Sequence, residues 1–240
     1  MINNVYYILK EKPLCSTLIK MPKYRLVYFN ARGKAETSRI LFALAGEEYE
    51  DVRLFPDLPW PSQEGKDKWL ETKSELGLPF GQVPVLDVDG KRLCQSNVIA
   101  KYLAKQFGFA GKGDWEEARA EMISACVYDA FQKGRPCSLE QDPIKKAELL
   151  EKFLKDSKEI MDNFRQILEK NGGGSGFFVG DGITWADINF AVRIDQIFDR
   201  IGENADTFLK DWPKLLALKQ RVEKYPKIAE WIEKRPKTTR

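Results

Sequence analysis

The chain has 240 residues, 43% hydrophobic and 31% charged, an ordinary globular composition with room for one large or two small domains. Its 39 basic and 36 acidic residues are interspersed, which argues against a nucleic-acid partner. The absence of histidine excludes a Ser-His-Asp triad, a Cys-His pair and a histidine-bound zinc site. No apolar run reaches the roughly 18 residues that a membrane span needs, so none is predicted.

Residues 1–20 differ from the chain that follows and are predicted to form a weakly ordered extension. The segment is apolar in places but lacks the basic start of a signal or transit peptide. A pairing or docking arm is the alternative.

The cysteines favour a reducing compartment. None of them forms a C-x-x-C pair, and in a chain of this length they indicate free thiols and a cytoplasmic location; they are Cys15, Cys94, Cys126 and Cys137.

A β-α-β unit opens the folded part. Tyr24–Phe29 alternates in polarity and predicts a strand, and a turn follows at Asn30–Lys34. Ala35–Gly46 has helical spacing, with Gly46 placed to end the helix, and Tyr49–Leu54 predicts a second strand. The two strands should be parallel.

The next segment is less regular. Phe55–Gly65 contains Pro56, Pro59 and Pro61 and is predicted to be a loop, followed by a short helix or irregular turn at Trp69–Leu76.

The segment from Leu78 to Leu103 predicts a strand beginning near Val83-Pro84, a tight turn at Asp89-Gly90, a returning strand and a helix with Ser96 as its N-cap. A helix start binds anions such as a carboxylate. The loop before Pro84 leaves a backbone edge free beside it, and this combination suits a small peptide ligand.

The rest of the chain is predicted to be helical. Thr184 and Asp187 form a capping-box variant, and no strand pattern stands out after Cys94. Helices are predicted over Trp115–Lys133, Pro143–Lys170, Ile188–Ile201, Pro213–Lys224 and Lys227–Lys234. The fold class is therefore an α/β thioredoxin-like domain followed by an all-α domain, with a boundary near Gly108–Gly113.

Five motifs resemble cytosolic glutathione S-transferases of the sigma class, which includes haematopoietic prostaglandin D synthases and lens S-crystallins. They are YRLVYFNARGKAE from Tyr24, LPFGQVPVLDVDG from Leu78, QSNVIAKYLA from Gln95, ITWADINF from Ile183 and WIEKRPKT from Trp231. The resemblance covers the chain from Met21 onward. It implies a thioredoxin-like glutathione-binding domain over residues 21–108 and a helical bundle over residues 113–240 that supplies a hydrophobic-substrate pocket.

The resemblance makes Tyr28 the catalytic residue, because a tyrosine at this position hydrogen-bonds the glutathione sulfur. A free thiol has a pKa of about 8.5 and is mostly protonated at neutral pH, whereas the thiolate is the nucleophile. A phenol donor stabilises the thiolate and lowers that pKa. The alternative is that Tyr28 only packs a strand edge.

The resemblance also implies the residues that bind glutathione. Val83, before a cis proline, would pair its backbone with the cysteinyl part of the tripeptide. Gln95 and Ser96 would hold the γ-glutamyl carboxylate, and Asp129 would reach the γ-glutamyl amine across a dimer interface. The full implied set is Phe29, Trp69, Lys73, Gln82, Val83, Pro84, Gln95, Ser96 and Asp129.

The second-substrate pocket is expected at Lys34 and Phe131. Lys34 replaces an arginine of the prostaglandin-synthase members, and Ala125 and Tyr128 replace acids with which those enzymes bind a divalent cation. No metal site is therefore expected, and a specialised prostaglandin isomerase is weakened.

The expected function is a homodimeric, cytoplasmic transferase that conjugates glutathione, as co-substrate and without a permanent cofactor, to hydrophobic electrophiles. A catalytically weak S-crystallin-like or ligand-carrier protein and a glutathione-dependent prostaglandin isomerase are the alternatives. A thiol-disulfide oxidoreductase is rejected because Asn30–Ala35 contains no cysteine.

Overall fold

The computed structural model describes residues 23–58 and 62–238, so the predicted extension over residues 1–20 lies outside the described residues. The description begins with a mixed sheet of four strands in the order β2-β1-β3-β4: β1 (Tyr24–Phe29), β2 (Tyr49–Leu54), β3 (Val85–Val88) and β4 (Lys91–Cys94). β1 is parallel to β2 and antiparallel to β3. Leu26 and Leu86 face each other in the register and are fully buried. The predicted thioredoxin-like arrangement is confirmed.

Helices pack on the sheet, and the described residues that follow it are mostly helical. The helices that lie between or directly after the strands in sequence are α1 (Glu36–Ala45), α2 (Gln63–Thr72) and α3 (Ser96–Phe107). The later helices are α4 (Gly113–Lys133), α5 (Arg135–Leu139), α6 (Pro143–Lys170), α7 (Trp185–Ile201), α8 (Ala205–Phe208), α9 (Pro213–Glu223) and α10 (Pro226–Lys234). Residues 23–58 and 62–238 include no helix long and apolar enough to cross a membrane. The predicted domain boundaries remain a prediction.

Two turns form as predicted because their residues tolerate a left-handed backbone. Gly46 ends α1 with φ of 71°. Asp89 and Gly90 join β3 to β4 with φ of 48° and 80°, the pair of positive values that a type I′ turn needs.

The starts of several helices differ from the prediction, and one of them is α7, which begins at Trp185 rather than Ile188. α2 begins at Gln63 rather than near Trp69, because the Ser62 hydroxyl accepts the Gly65 N–H at 3.0 Å and caps the helix. Ser96 is the first residue of α3 rather than its N-cap. Gln95 holds the cap position without a side-chain capping bond.

The capping box at the start of α7 is confirmed. One Asp187 carboxylate oxygen accepts the backbone N–H and the hydroxyl of Thr184, both at 2.8 Å. The other oxygen accepts the Phe178 N–H at 2.8 Å. Burial raises the pKa of Asp187 to about 6 despite these three hydrogen bonds. The box therefore carries a carboxyl group that is costly to ionise.

A buried polar network ties α10 to α1. The Glu36 carboxylate accepts Trp231 Nε1–H at 3.0 Å and Arg235 Nη1–H at 2.8 Å. Arg39, one turn further along α1, is fully buried and forms an ion pair with Asp51 on β2 at 3.2 Å. The network joins the sheet, the first helix and the last helix.

Candidate active site

A cavity of about 270 Å³ opens at the start of α3 and brings together most of the predicted ligand-binding residues. Its walls include Lys34, Gln82, Val83, Pro84, Gln95 and Ser96, which come from three separate segments of the chain. The segment around Val83 and the start of α3 thus line one cavity; that this cavity binds a ligand stays a prediction.

The start of α3 supplies an anion-binding end to this cavity. Ile99 makes the first helical hydrogen bond, to the Gln95 carbonyl at 2.9 Å, which leaves the N–H groups of Ser96, Asn97 and Val98 without a helical partner. No acidic residue lies in the first turn. Gln95 has φ of 73°, a strained conformation for a non-glycine residue. Gln95 adopts this conformation where it lines the cavity, next to the helix start.

Val83 offers its backbone to the same cavity. The Val83-Pro84 peptide bond is cis, as predicted, and Pro84 is buried. In the described part of the chain the N–H and C=O of Val83 have no hydrogen-bond partner. This is the arrangement that an extended peptide ligand can complete.

Tyr28 is the penultimate residue of β1 and is buried, and it reaches this cavity through its contact with Lys34, which lines it. Its hydroxyl oxygen accepts the backbone N–H of Lys34 at 3.0 Å. Because that oxygen acts as an acceptor, the phenol proton is free to point elsewhere, and no acceptor for it lies among residues 23–58 and 62–238. Gly33 packs so closely that a Cβ built on it would lie 2.5 Å from the Tyr28 hydroxyl.

A row of aromatic rings extends from Tyr28 to α2. The Phe29 ring centroid lies 5.4 Å from that of Tyr28 and 5.1 Å from that of Trp69. Lys73, which caps the end of α2, donates its backbone N–H to Trp69. These three predicted residues do not line the 270 Å³ cavity, and the Phe29–Trp69 contact packs α2 against the strand that carries Tyr28.

The remaining predicted residues lie on α4. Asp129 is exposed, beside Tyr128, which lines the cavity. Phe131 is buried and lines a separate apolar cavity of about 20 Å³, with room for about one water molecule. The structure therefore does not place Lys34 and Phe131 on one open pocket.

Basic groups surround Phe131. The guanidinium carbons of Arg193 and Arg200 lie 5.4 and 5.0 Å from the centre of its ring. Partial burial lowers the pKa of Lys34. The positive charges of three nearby arginines lower it further; they are Arg193, Arg135 and Arg200. Burial lowers the pKa of Arg193 to about 10. No group of three or more Cys, Asp or Glu side chains within the described ranges could hold a metal ion.

The sequence did not predict two residues that connect α7 to the loop beside Tyr28. Gln196 and Arg193 lie on α7, and Gln196 donates to the Gly33 carbonyl at 2.8 Å. Polar residues at buried positions of α7 were the available signal, but their partner lies 163 residues earlier in the chain.

The comparisons with known proteins agree with this geometry. Residues 25–105 match the family model "Glutathione S-transferase, N-terminal domain", and residues 128–235 match "Glutathione S-transferase, C-terminal domain". The chain belongs to the glutathione S-transferase family. The resemblance found in its motifs is confirmed.

Relatives of this transferase include proteins with different names. It is 39% identical to the hematopoietic prostaglandin D synthase of Gallus gallus, over 91% of the chain and 99% of that protein. It is 35% identical to S-crystallin SL11 of Nototodarus sloanii, over the same shares. A solved monomeric glutathione S-transferase of the hookworm Necator americanus superposes with a TM-score of 0.76 at 35% identity, over 90% of this chain and 98% of the other.

Proposed function

We propose that this glutathione S-transferase activates its co-substrate through Tyr28. Tyr28 donates a hydrogen bond to the glutathione sulfur and stabilises the thiolate. The thiolate attacks a hydrophobic electrophile, a carbon–sulfur bond forms, and the leaving group departs with its electron pair. The observation that carries the proposal is the Lys34 N–H bound to the Tyr28 oxygen, which frees the phenol proton for the sulfur.

Glutathione binds in the 270 Å³ cavity. Its cysteinyl backbone pairs with Val83, and its γ-glutamyl carboxylate lies at Gln95 and Ser96. The unpaired backbone of Val83 and the uncapped N–H groups of α3 support this orientation. Gln82 and Pro84 complete the wall, and Phe29 lines the pocket. Trp69 packs on the tripeptide, and Lys73 meets its glycine carboxylate.

A homodimer completes the site, with Asp129 of one protomer reaching the γ-glutamyl amine bound to its partner. Exposed apolar side chains close to this region support an interface: Phe80, Val98 and Met122 are 71%, 48% and 48% exposed. Sedimentation at micromolar concentration should give a dimer, and Asp129→Ala should weaken glutathione binding. A monomeric protein whose affinity for glutathione is unchanged by Asp129→Ala would contradict this part of the proposal.

We further place the enzyme in the sigma class and in the cytoplasm.

Tyr28→Phe tests the catalytic proposal. Loss of one donor to a developing anion reduces turnover by about 100-fold in enzymes. We expect a comparable loss toward a chlorodinitrobenzene-type electrophile, unchanged affinity for glutathione, and a thiol pKa of bound glutathione that rises toward its free value. Tyr24→Phe is the matched control, because Tyr24 is buried on the same strand. Normal turnover in Tyr28→Phe would refute the proposal.

A catalytically weak S-crystallin-like protein is the second candidate. The observation that favours it is the 20 Å³ cavity beside Phe131, which is too small for an electrophile as it stands. The electrophile would then have to approach from the side of Lys34 and Tyr128. Tight binding to glutathione agarose with no conjugation of any tested electrophile would favour this candidate.

A further inference from the structure

One peptide group connects Tyr28 to the interior of the helical region. Its N–H, on Lys34, donates to the Tyr28 oxygen at 3.0 Å, and its carbonyl, on Gly33, accepts Gln196 Nε2–H at 2.8 Å. Both atoms belong to the same amide. A hydrogen bond accepted by the carbonyl polarises an amide and makes its N–H a stronger donor.

Gln196 is in turn held by Arg193. Arg193 Nη1 donates to Gln196 Oε1 at 3.1 Å, and both residues are buried. Because a guanidinium only donates and a carbonyl only accepts, these two neighbours fix which end of the Gln196 amide faces each of them. The hydrogen bonds therefore run in one direction, from Arg193 through Gln196 and the Gly33–Lys34 peptide to Tyr28.

The charge of Arg193 has no carboxylate partner within residues 23–58 and 62–238. It also donates from Nε to the side-chain oxygen Oδ1 of Asn189 at 3.4 Å, and its guanidinium lies over the Phe131 ring. The charged or titratable groups that interact with it or with Tyr28 are Lys34, Arg39, Tyr128 and Arg200. A buried charge without a counter-ion is costly, so a purely structural role for Arg193 would be met better by an apolar residue.

We propose that Arg193 and Gln196 are positioning residues that act through the Gly33–Lys34 peptide to strengthen the hydrogen bond from Tyr28 to the glutathione sulfur. The inference rests on the proposed role of Tyr28. Each donor in this series of hydrogen bonds polarises the next one, so the positive charge of Arg193 favours the thiolate without contacting it.

The test measures the thiol pKa of enzyme-bound glutathione by ultraviolet titration, together with the pH profile of kcat/KM. Gln196→Glu keeps the shape of the side chain and its bond with Arg193, but its carboxylate, ionised beside Arg193, has no proton to donate to the Gly33 carbonyl. Gln196→Met breaks both links. Arg193→Met removes the charge, and Arg193→Lys restores it. We expect a rise in the thiol pKa of about one unit in the first three variants, since one unit corresponds to one ordinary hydrogen bond. Arg193→Lys should raise the thiol pKa less than Arg193→Met does. In all four variants the glutathione dissociation constant should stay within about twofold of the value for the original protein.

Arg200→Met is the matched control, because Arg200 carries the same charge over the same Phe131 ring, 5.0 Å from its centre. An equal rise of the thiol pKa in Arg200→Met would show that any nearby positive charge has this effect. It would overturn the proposed action through Gln196 and the Gly33–Lys34 peptide. An unchanged thiol pKa in both Gln196 variants would also overturn it, while Tyr28→Phe still raises the value. If Tyr28→Phe fails to raise it as well, the proposed function itself fails.

Discussion

At the scale of single residues, Gly33 decides how closely the loop approaches Tyr28. Its φ is 41°, and a Cβ there would meet the Tyr28 hydroxyl oxygen at 2.5 Å. Gly33→Ala should therefore displace the tyrosine. Because a misplacement of about 1 Å can cost about 100-fold in rate, we expect a loss of that order in kcat/KM, measured by conjugation assay.

Gly46→Ala separates this contact from backbone strain. Gly46 also has a positive φ, 71°, but a Cβ there meets nothing within 4 Å. Gly46→Ala should lower the free energy of unfolding by about 1–2 kcal/mol, the cost of a left-handed alanine, and Gly33→Ala should lower it by at least this amount because the clash adds to the strain. Only Gly33→Ala should lose activity, and equal kinetic losses would contradict the steric explanation.

At the scale of elements, the capping box of α7 gives a prediction with a defined pH dependence. The pKa of Asp187 is about 6 in the fold against an ordinary 3.8. Between these values the folded state binds more protons than the unfolded state, so the contribution of Asp187 to stability is largest below about pH 4 and falls as the pH rises to about 6.

Asp187→Asn removes this titration and an acceptor oxygen that Thr184 needs. The variant should be less stable by about 1–3 kcal/mol at pH 7, and the difference from the original protein should be larger at pH 4. Urea unfolding across this range is the measurement. Asp156→Asn, at an exposed position, should shift the free energy by no more than about 0.5 kcal/mol. A difference that grows with pH would contradict the assignment.

The sequence predicted the elements with strong periodicity or strong turn residues. The strands from Tyr24 and Tyr49 have the predicted bounds, because alternation and apolar runs mark them. α2 begins at Gln63 where a loop was predicted, since its first turns are polar and follow a proline-rich stretch. The short helices α5 and α8 were missed because four or five residues carry no periodic signal.

The same limit applies to the site. Val83, Gln95 and Ser96 are close in sequence and were predicted together. Gln196 is buried through a contact with Gly33, far away in the chain, and local patterns cannot reveal such a contact. Sequence also gave no indication that the cavity beside Phe131 is nearly filled.

At the scale of the whole molecule, Trp231 holds the last helix against the first. Trp231→Phe removes its hydrogen bond to the buried Glu36 carboxylate, 3.0 Å long. A hydrogen bond to a charged group contributes about 1.5–3 kcal/mol, so the free energy of unfolding should fall by this amount in urea titrations. Trp115→Phe is the control, because Trp115 is 77% exposed and should change stability by no more than about 0.5 kcal/mol. Equal unfolding midpoints for the two variants would show that the contact does not stabilise the fold.

The Glu36 network also sets an order of events during synthesis. Glu36 is translated 195 residues before Trp231 and 199 residues before Arg235. While the nascent chain lacks them, this carboxylate is without two of the donors that accompany its burial. The first helix can therefore reach its final environment only once Trp231 and Arg235 have left the ribosome, although the sheet beside it has been translated long before.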